Sequence, residues 1–183
     1  MIRMNRTKKN KTITIFVEGR SEEIYFKALN QQQWIRSSNY KLDVKHCKNH
    51  DESLKTAFSG EYERVKLKDL YKVAFVVDKD HMTQQKFTKL LKTGYDIGFT
   101  NPKIELWFLV HYEKIRESYS CIETSLKKYF PDYREASKKI ADLAEIFEDA
   151  IRNAKGRSIP NFDEISTSVG TVIQEIKTIV ESK

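Results

Sequence analysis

Apolar and polar positions along the chain alternate between two periods. Residues 12–17, Thr-Ile-Thr-Ile-Phe-Val, form a β-branched and aromatic run, which is strand composition. The run stops at Glu18-Gly19-Arg20-Ser21-Glu22-Glu23, after which Ile24, Tyr25, Phe26, Ala28 and Leu29 recur at helical spacing. This order predicts a strand, a tight glycine turn, and a helix N-capped by Ser21 that runs to about Trp34. Residues 36–39 read as a polar loop. Leu42, Val44 and His46 then alternate with Lys41, Asp43 and Lys45, a half-buried strand pattern over 40–47. A helix is predicted over 52–69, loosened at Ser59-Gly60, followed by a strand at 71–77. The next helix covers 83–92, with Phe87, Leu90 and Leu91 facing inward and Gly94 ending it. Residues 95–100 form a short strand, and Asn101-Pro102 imposes an extended or turn conformation before the apolar stretch 104–112.

Strands alternating with helix-length crossovers predict an α/β core, a mostly parallel sheet of about four strands with flanking helices. Beyond Tyr119 the pattern is purely helical, over 122–129, 135–153 and 169–181, with a loop at 155–160. The predicted division is a basic disordered arm (1–11), an α/β core (12–118) and a helical extension packed on it (119–183).

Charge sharpens this picture. The 183 residues carry 33 Lys and Arg against 26 Asp and Glu, a formal net charge of +7, which favours an anionic partner such as nucleic acid, DNA or RNA. Two isolated cysteines, Cys47 and Cys121, exclude a disulfide framework and point to a reducing, cytoplasmic setting. The His46-Cys47-x-x-His50 cluster falls short of a tetrahedral metal site, having no fourth ligand in reach, and reads as a polar loop. No apolar stretch approaches the ~20 residues of a membrane helix, so no membrane partner is expected. The N-terminus lacks the apolar segment of a secretory signal.

The candidate chemistry lies at strand ends. Residues 74–80, Ala-Phe-Val-Val-Asp-Lys-Asp, end a buried strand on two acids one residue apart, so Asp78 and Asp80 share a side if the extended conformation persists through Lys79. Glu18 ends the first strand in the same way, and open α/β sheets build sites outside the carboxyl ends of neighbouring strands. Such carboxylates repel one another, and also a phosphodiester, unless a hard cation such as Mg²⁺, or alternatively Mn²⁺, sits between them. One or two such ions can activate a water for phosphodiester hydrolysis, while lysines and arginines hold the backbone.

Val17-Glu18-Gly19-Arg20-Ser21-Glu22 followed by Val76-Val77-Asp78-Lys79-Asp80 resembles the two defining motifs of the Toprim fold, a Rossmann-like architecture shared by primases, topoisomerases and overcoming-lysogenization-defect nucleases. Asn101-Pro102-Lys103-Ile104-Glu105-Leu106-Trp107-Phe108-Leu109-Val110-His111-Tyr112 is similar to the Asn-Pro-x-Phe-Glu-x-Trp-x-Leu-x-His block of the RloB-like family, with Ile104 replacing an aromatic residue. Ser166-Thr167-Ser168-Val169 resembles that family's C-terminal Thr-x-Val element. Proteins of this family are often encoded beside bacterial restriction and anti-phage systems. The resemblance implies that Glu18 acts as general acid/base or metal ligand, that Asp78 and Asp80 hold the ion, and that Glu22 supplements the metal site. Glu105 and Asn101 would complete it from the edge. The alternative reading of Glu105 is a buried ion-paired acid, and Trp107, Phe108 and Leu109 read as core. His111 reads as a capping or packing histidine or a catalytic one, and Lys128 and Lys155 as phosphate clamps.

Two functions follow. One is a Mg²⁺-dependent Toprim-like nuclease, a defence effector working with a separately encoded ATPase. The other is a non-catalytic module of the same shape that binds nucleic acid or a partner. Four acids retained together favour catalysis.

Overall fold

The β-branched run at 12–17 becomes β1 (Lys11–Val17), with Ile13 through Val17 all buried because helices cover both faces of the sheet. The computed structural model describes residues 11–80 and 82–182; nearly all of the basic arm lies outside them. β1 leads into α1 (Arg20–Leu29), the short α2 (Gln33–Arg36), β2 (Tyr40–His46) and α3 (His50–Ser59). A hairpin of β3 (Glu61–Tyr62) and β4 (Val65–Lys66) precedes β5 (Lys72–Asp78), α4 (Gln84–Leu91) and β6 (Asp96–Asn101). The remainder is α5 (Glu105–Leu109), α6 (Ile122–Lys127), α7 (Ile140–Leu143), α8 (Phe147–Asn153), β7 (Ser166–Thr167) and α9 (Val169–Glu181).

The fold is α/β. Its main sheet has the order β2-β1-β5-β6-β7, with the first four strands parallel and β7 antiparallel to β6. Strand periodicity sends alternate residues to opposite faces. Ile13, Ile15 and Val17 of β1 and Ala74 and Val76 of β5 join the larger core, shared with α1, α5, α8 and α9. Phe16, Val73, Phe75 and Val77 join the smaller core beneath α3 and α4.

Several elements depart from the sequence expectation, each for a local reason. Gly19, not Ser21, is the N-cap of α1; Ser21 is buried in the first turn and its Oγ accepts the Ala136 amide at 3.0 Å. That contact holds Ala136 at φ +56°, a left-handed conformation costing a non-glycine residue about 1–2 kcal/mol, and it interrupts the helix expected over 135–153. α1 stops at Leu29 because the Asn30 side chain turns away to accept the Leu42 amide at 2.9 Å. The helix expected over 52–69 is α3 alone, capped by Asn49, whose Oδ1 accepts the Glu52 amide at 2.9 Å. Gly60 ends it at φ +67°, and Glu63 and Arg64, at φ 47° and 70°, close the hairpin. Leu91 is 43 % exposed rather than inward, since Leu90 already fills the core position.

The C-terminal region is not purely helical. β7 pairs Thr167 with Thr100 and Ser166 with Asn101, and Ser168 Oγ donates to Ile97 O at 2.9 Å while accepting the Phe99 amide at 2.8 Å. The Ser-Thr-Ser segment therefore seals the edge of the parallel sheet. Among the described residues no helix is long and apolar enough to cross a membrane.

Candidate active site

Parallel pairing brings the ends of β1 and β5 side by side, with Val17 opposite Val76. Glu18 follows β1 and Asp78 ends β5, and the Asp78 amide donates to Glu18 Oε2 at 3.4 Å. The glycine after Glu18 has a steric cause: a Cβ at Gly19 would stand 2.5 Å from Glu22 Oε2. With hydrogen at that position the Glu22 carboxylate packs against the turn, and a Cβ there would push that side chain aside. Acids in a first helical turn also suit the positive end of the helix dipole.

The environment is unusual for acids. Burial, followed by the neighbouring charges of Glu18 and Asp80, pushes Asp78 up to about 7. Burial, with Asp78, Glu18 and Glu105 as like-charged neighbours, pushes Glu22 up to about 8. Burial also raises Glu18, against which His50 works. His50 Nδ1 lies 2.7 Å from Glu18 Oε1, and this contact holds the imidazole above its ordinary value. The site therefore keeps acids partly protonated near neutrality.

Asp80 does not lie on a continued strand. The chain bends after Asp78: the Lys79 amide donates to Thr100 O at 2.9 Å and the Met82 amide to Lys79 O at 2.8 Å. The Asp80 amide then donates to Asp78 Oδ1 at 3.0 Å, leaving Asp80 on the exposed rim. Lys79 reaches sideways, donating from Nζ to Phe162 O at 2.7 Å above the Phe162 ring.

Glu105 opens α5, accepts from the Tyr133 hydroxyl at 2.9 Å, and lies near enough to Glu22 to raise it. It is hydrogen-bonded rather than ion-paired among the described residues. Asn101 faces elsewhere: its Nδ2 donates to the carbonyls of Asn161, Phe162 and Glu164. It fastens the 161–164 loop to the end of β6, in concert with Lys79. His111 is buried, within 3.1 Å of the Tyr25 hydroxyl and 2.9 Å of Trp107 O. Burial lowers it to about 4, and it packs beneath Trp107 and Tyr25. Trp107, Phe108 and Leu109 are core. Lys128 and Lys155 are exposed.

Among the described residues, no group of three or more His, Cys, Asp or Glu is already disposed to hold a metal ion. The His46-Cys47-His50 cluster disperses. His46 lies 3.6 Å from Glu23, Cys47 is buried with its thiol pushed up to about 12, and His50 turns to Glu18. His50 is the site residue that sequence reasoning passed over. Its signal is a histidine opening the helix that follows β2, the strand paired with β1, yet from sequence the cluster reads as a polar loop rather than as a partner of Glu18.

Neither the curated proteins nor the solved structures contain a match to this chain. A family model described as "RloB-like protein" matches residues 13–176, a span that runs from β1 through most of α9 and takes in every acid of the strand-end cluster. The chain belongs to the RloB-like protein family.

Proposed function

We propose that this protein is a Toprim-like, metal-dependent phosphodiesterase that cleaves nucleic acid, an effector of a prokaryotic anti-phage or restriction-linked system acting with a separately encoded ATPase. One observation carries the chemistry: four acids, Glu18, Glu22, Asp78 and Glu105, gather at the strand ends of a protein with a net charge of +7, and two are pushed to about 7 and about 8. Structural acids in a basic chain are readily neutralised by lysine or arginine. These carry no such salt bridge among the described residues; His50 and the Asp78 amide offset the burial of Glu18.

The donor set suits Mg²⁺ or Mn²⁺. It consists of hard carboxylate oxygens, and the mutual repulsion that raises their pKa values is what a divalent cation would relieve. Glu18, Asp78 and Glu22 would hold it, with Asp80 from the rim. When bound, such an ion supplies Lewis acidity toward a phosphoryl oxygen and lowers the pKa of water. The protein's own residues do the rest. His50 fixes the Glu18 carboxylate, Asp80 and Glu18 brace the Asp78 backbone and side chain, and Glu105, fixed by Tyr133, closes the cluster and offers a proton acceptor at its edge. Surrounding cations hold the anionic substrate.

The test is divalent-dependent cleavage of plasmid, single-stranded DNA and tRNA by the wild type, compared with Asp78→Asn. Cleavage by wild type alone supports the proposal. Equal cleavage by both, or none by either with Mg²⁺ or Mn²⁺ and the ATPase partner present, overturns it. A second reading, a non-catalytic nucleic-acid or partner-binding module, is favoured by a specific observation: no metal-ready trio exists among the described residues. Nucleic-acid binding without cleavage would select it.

A further inference from the structure

A second site of opposite sign lies where the chain leaves α8. An open cleft of about 470 Å³ is lined by Lys114, Ile115, Arg152, Asn153, Lys155 and Arg157, with Gly156 between the last two. Four of these residues are cationic, and none of the lining residues is acidic. Arg152 pairs with Asp149, and Arg157 lies 3.9 Å from Glu164, but Lys114 and Lys155 have no ion pair among the described residues.

Cations at a helix C-terminus often only complement its dipole. Here the terminal carbonyls are already occupied. Arg152 O accepts the Lys155 amide, Asn153 O the Ile115 amide and Ala154 O the Arg157 amide. The helix end does not need four cations. Gly156 adopts φ +90°, which disfavours any other residue, and open space lies where a Cβ would stand; the turn sets Lys155 and Arg157 on either side of it.

The cleft is also tied to the carboxylate cluster. Asp78 pairs with Thr100, Thr100 with Thr167, and the Thr167 amide donates to Arg157 O at 3.0 Å. Three steps of about 4.8 Å each put the Arg157 backbone within roughly 14 Å of that of Asp78, at most a span of a few nucleotides.

We propose that this cleft binds the phosphodiester backbone of a nucleic-acid strand whose continuation reaches the Glu18–Asp78 acids. The proposal rests on the phosphodiesterase reading for the purpose of the site but not for its existence. Charge complementarity selects the occupant: two cations without an ion pair among the described residues, Lys114 and Lys155, flanked by Arg152 and Arg157 along an open cleft, suit a polyanion better than a single small anion, and no acid in the lining repels it.

The experiment is a salt titration of binding to a labelled 20-nucleotide single strand, as DNA and as RNA, in EDTA, with inorganic phosphate as competitor. The proteins are wild type, Lys114→Ala/Lys155→Ala, and a control with two exposed lysines removed elsewhere, Lys41→Ala/Lys68→Ala. Loss of two phosphate contacts should weaken binding about 10- to 30-fold at 0.1 M salt and flatten the log–log salt slope by about 1.4. The control should stay near wild type, and phosphate should not compete at equal ionic strength. If Lys114→Ala/Lys155→Ala matches wild type, or if the control loses as much, no site exists at the cleft. Competition by millimolar phosphate would replace the strand by a small anion and overturn the proposal. The two readings separate cleanly. A wild type that cleaves nothing while the cleft variant loses affinity leaves the cleft standing without the phosphodiesterase. Intact binding and cleavage in the cleft variant leave the phosphodiesterase standing without the cleft.

Discussion

Glu22 and Glu23 are consecutive residues of α1, 5 % and 6 % exposed, and their surroundings are electrostatic opposites. Burial pushes Glu23 upward, but salt bridges from Lys27 and Arg20 outweigh it and leave its pKa below the ordinary value; His46 adds a contact at 3.6 Å. Glu22 is as little exposed but sits deeper among protein atoms, and that burial, with Asp78, Glu18 and Glu105 as like-charged neighbours, holds it near 8. Burial alone therefore does not mark a functional acid. The difference lies in depth and in where the chain's surplus cations are placed: beside Glu23, where the acid braces a helix, and away from the more deeply enclosed Glu22, which has other acids as neighbours. Perturbation by like charges in a partly enclosed site is a physical signature of function.

The comparison breaks most visibly in activity. Asp78→Asn and Glu18→Gln should reduce cleavage to background while unfolding stays cooperative, whereas Glu23→Gln should retain most activity because Glu23 touches none of the cluster acids. Rates against plasmid and tRNA, with a urea unfolding curve for each protein, check this. Full activity in Asp78→Asn would leave the cluster without a catalytic role.

The next effect is on stability, and its sign should differ between the two glutamates. Asp78 and Glu22 have folded values raised to about 7 and about 8, so folding takes up protons. Their stabilising protonated forms are complete only at the acidic end, and stability falls as pH rises from about 4 through about 8. His50, raised by Glu18, adds in the same direction, its contribution being lost as pH climbs through its folded value. Glu23 is lowered, so its contribution is present at neutral pH and lost on acidification. In EDTA at pH 8, Glu22→Gln should stabilise by on the order of 2 kcal/mol and flatten the pH dependence. Glu23→Gln should destabilise by about 1 kcal/mol, since its cationic partners are largely exposed. Denaturant titrations at pH 5 and pH 8 decide it; two shifts of the same sign would mean that burial, not partner charge, governs both acids.

A divalent cation should act on one side of the comparison only. If Mg²⁺ or Mn²⁺ takes the place of the protons that Asp78 and Glu22 retain, it stabilises the folded state by about 1.4 kcal/mol at tenfold its dissociation constant. The rise in Tm should be larger at pH 8 than at pH 5, absent in Asp78→Asn and preserved in Glu23→Gln. An equal rise in Asp78→Asn would assign the effect to ionic strength.

The strand-end acids were legible in sequence because β-branched runs that stop abruptly on acid report both the strand and its tip. The parallel order followed from crossover length. What escaped depended on contacts between distant segments. Ser21 has the composition of an N-cap, yet its hydroxyl is taken by Ala136, 115 residues away. Asn101 sits in the motif block like a site residue, but three loop carbonyls claim its amide. The extended reading of Asp-Lys-Asp failed because the Lys79 amide bonds across to β6 and bends the chain. β7 has only two residues, too few to show a period, and His50 meets Glu18 only through the parallel pairing of β1 and β2.

The smallest expected effect concerns binding rather than chemistry. Without metal, the acids at the strand ends repel the phosphates that the basic surface attracts. Asp78→Asn/Asp80→Asn in EDTA should therefore bind a nucleic-acid strand at least as tightly as wild type, by a factor of about 2–5 at low salt, with the steep salt dependence unchanged because no phosphate-contacting cation has been removed. The gain should be modest, since Asp78 near 7 is already partly protonated at neutral pH, and it should widen at pH 8.5, where the wild-type acid is fully charged. Glu23→Gln should show no such gain, because the charge it removes is already neutralised by Arg20 and Lys27. Affinities measured at pH 6.5 and 8.5 across a salt series test this. Clearly weaker binding by the double variant would show that these acids accept hydrogen bonds from the ligand, and absence of binding by any of the proteins at low salt would assign the positive surface to a protein partner.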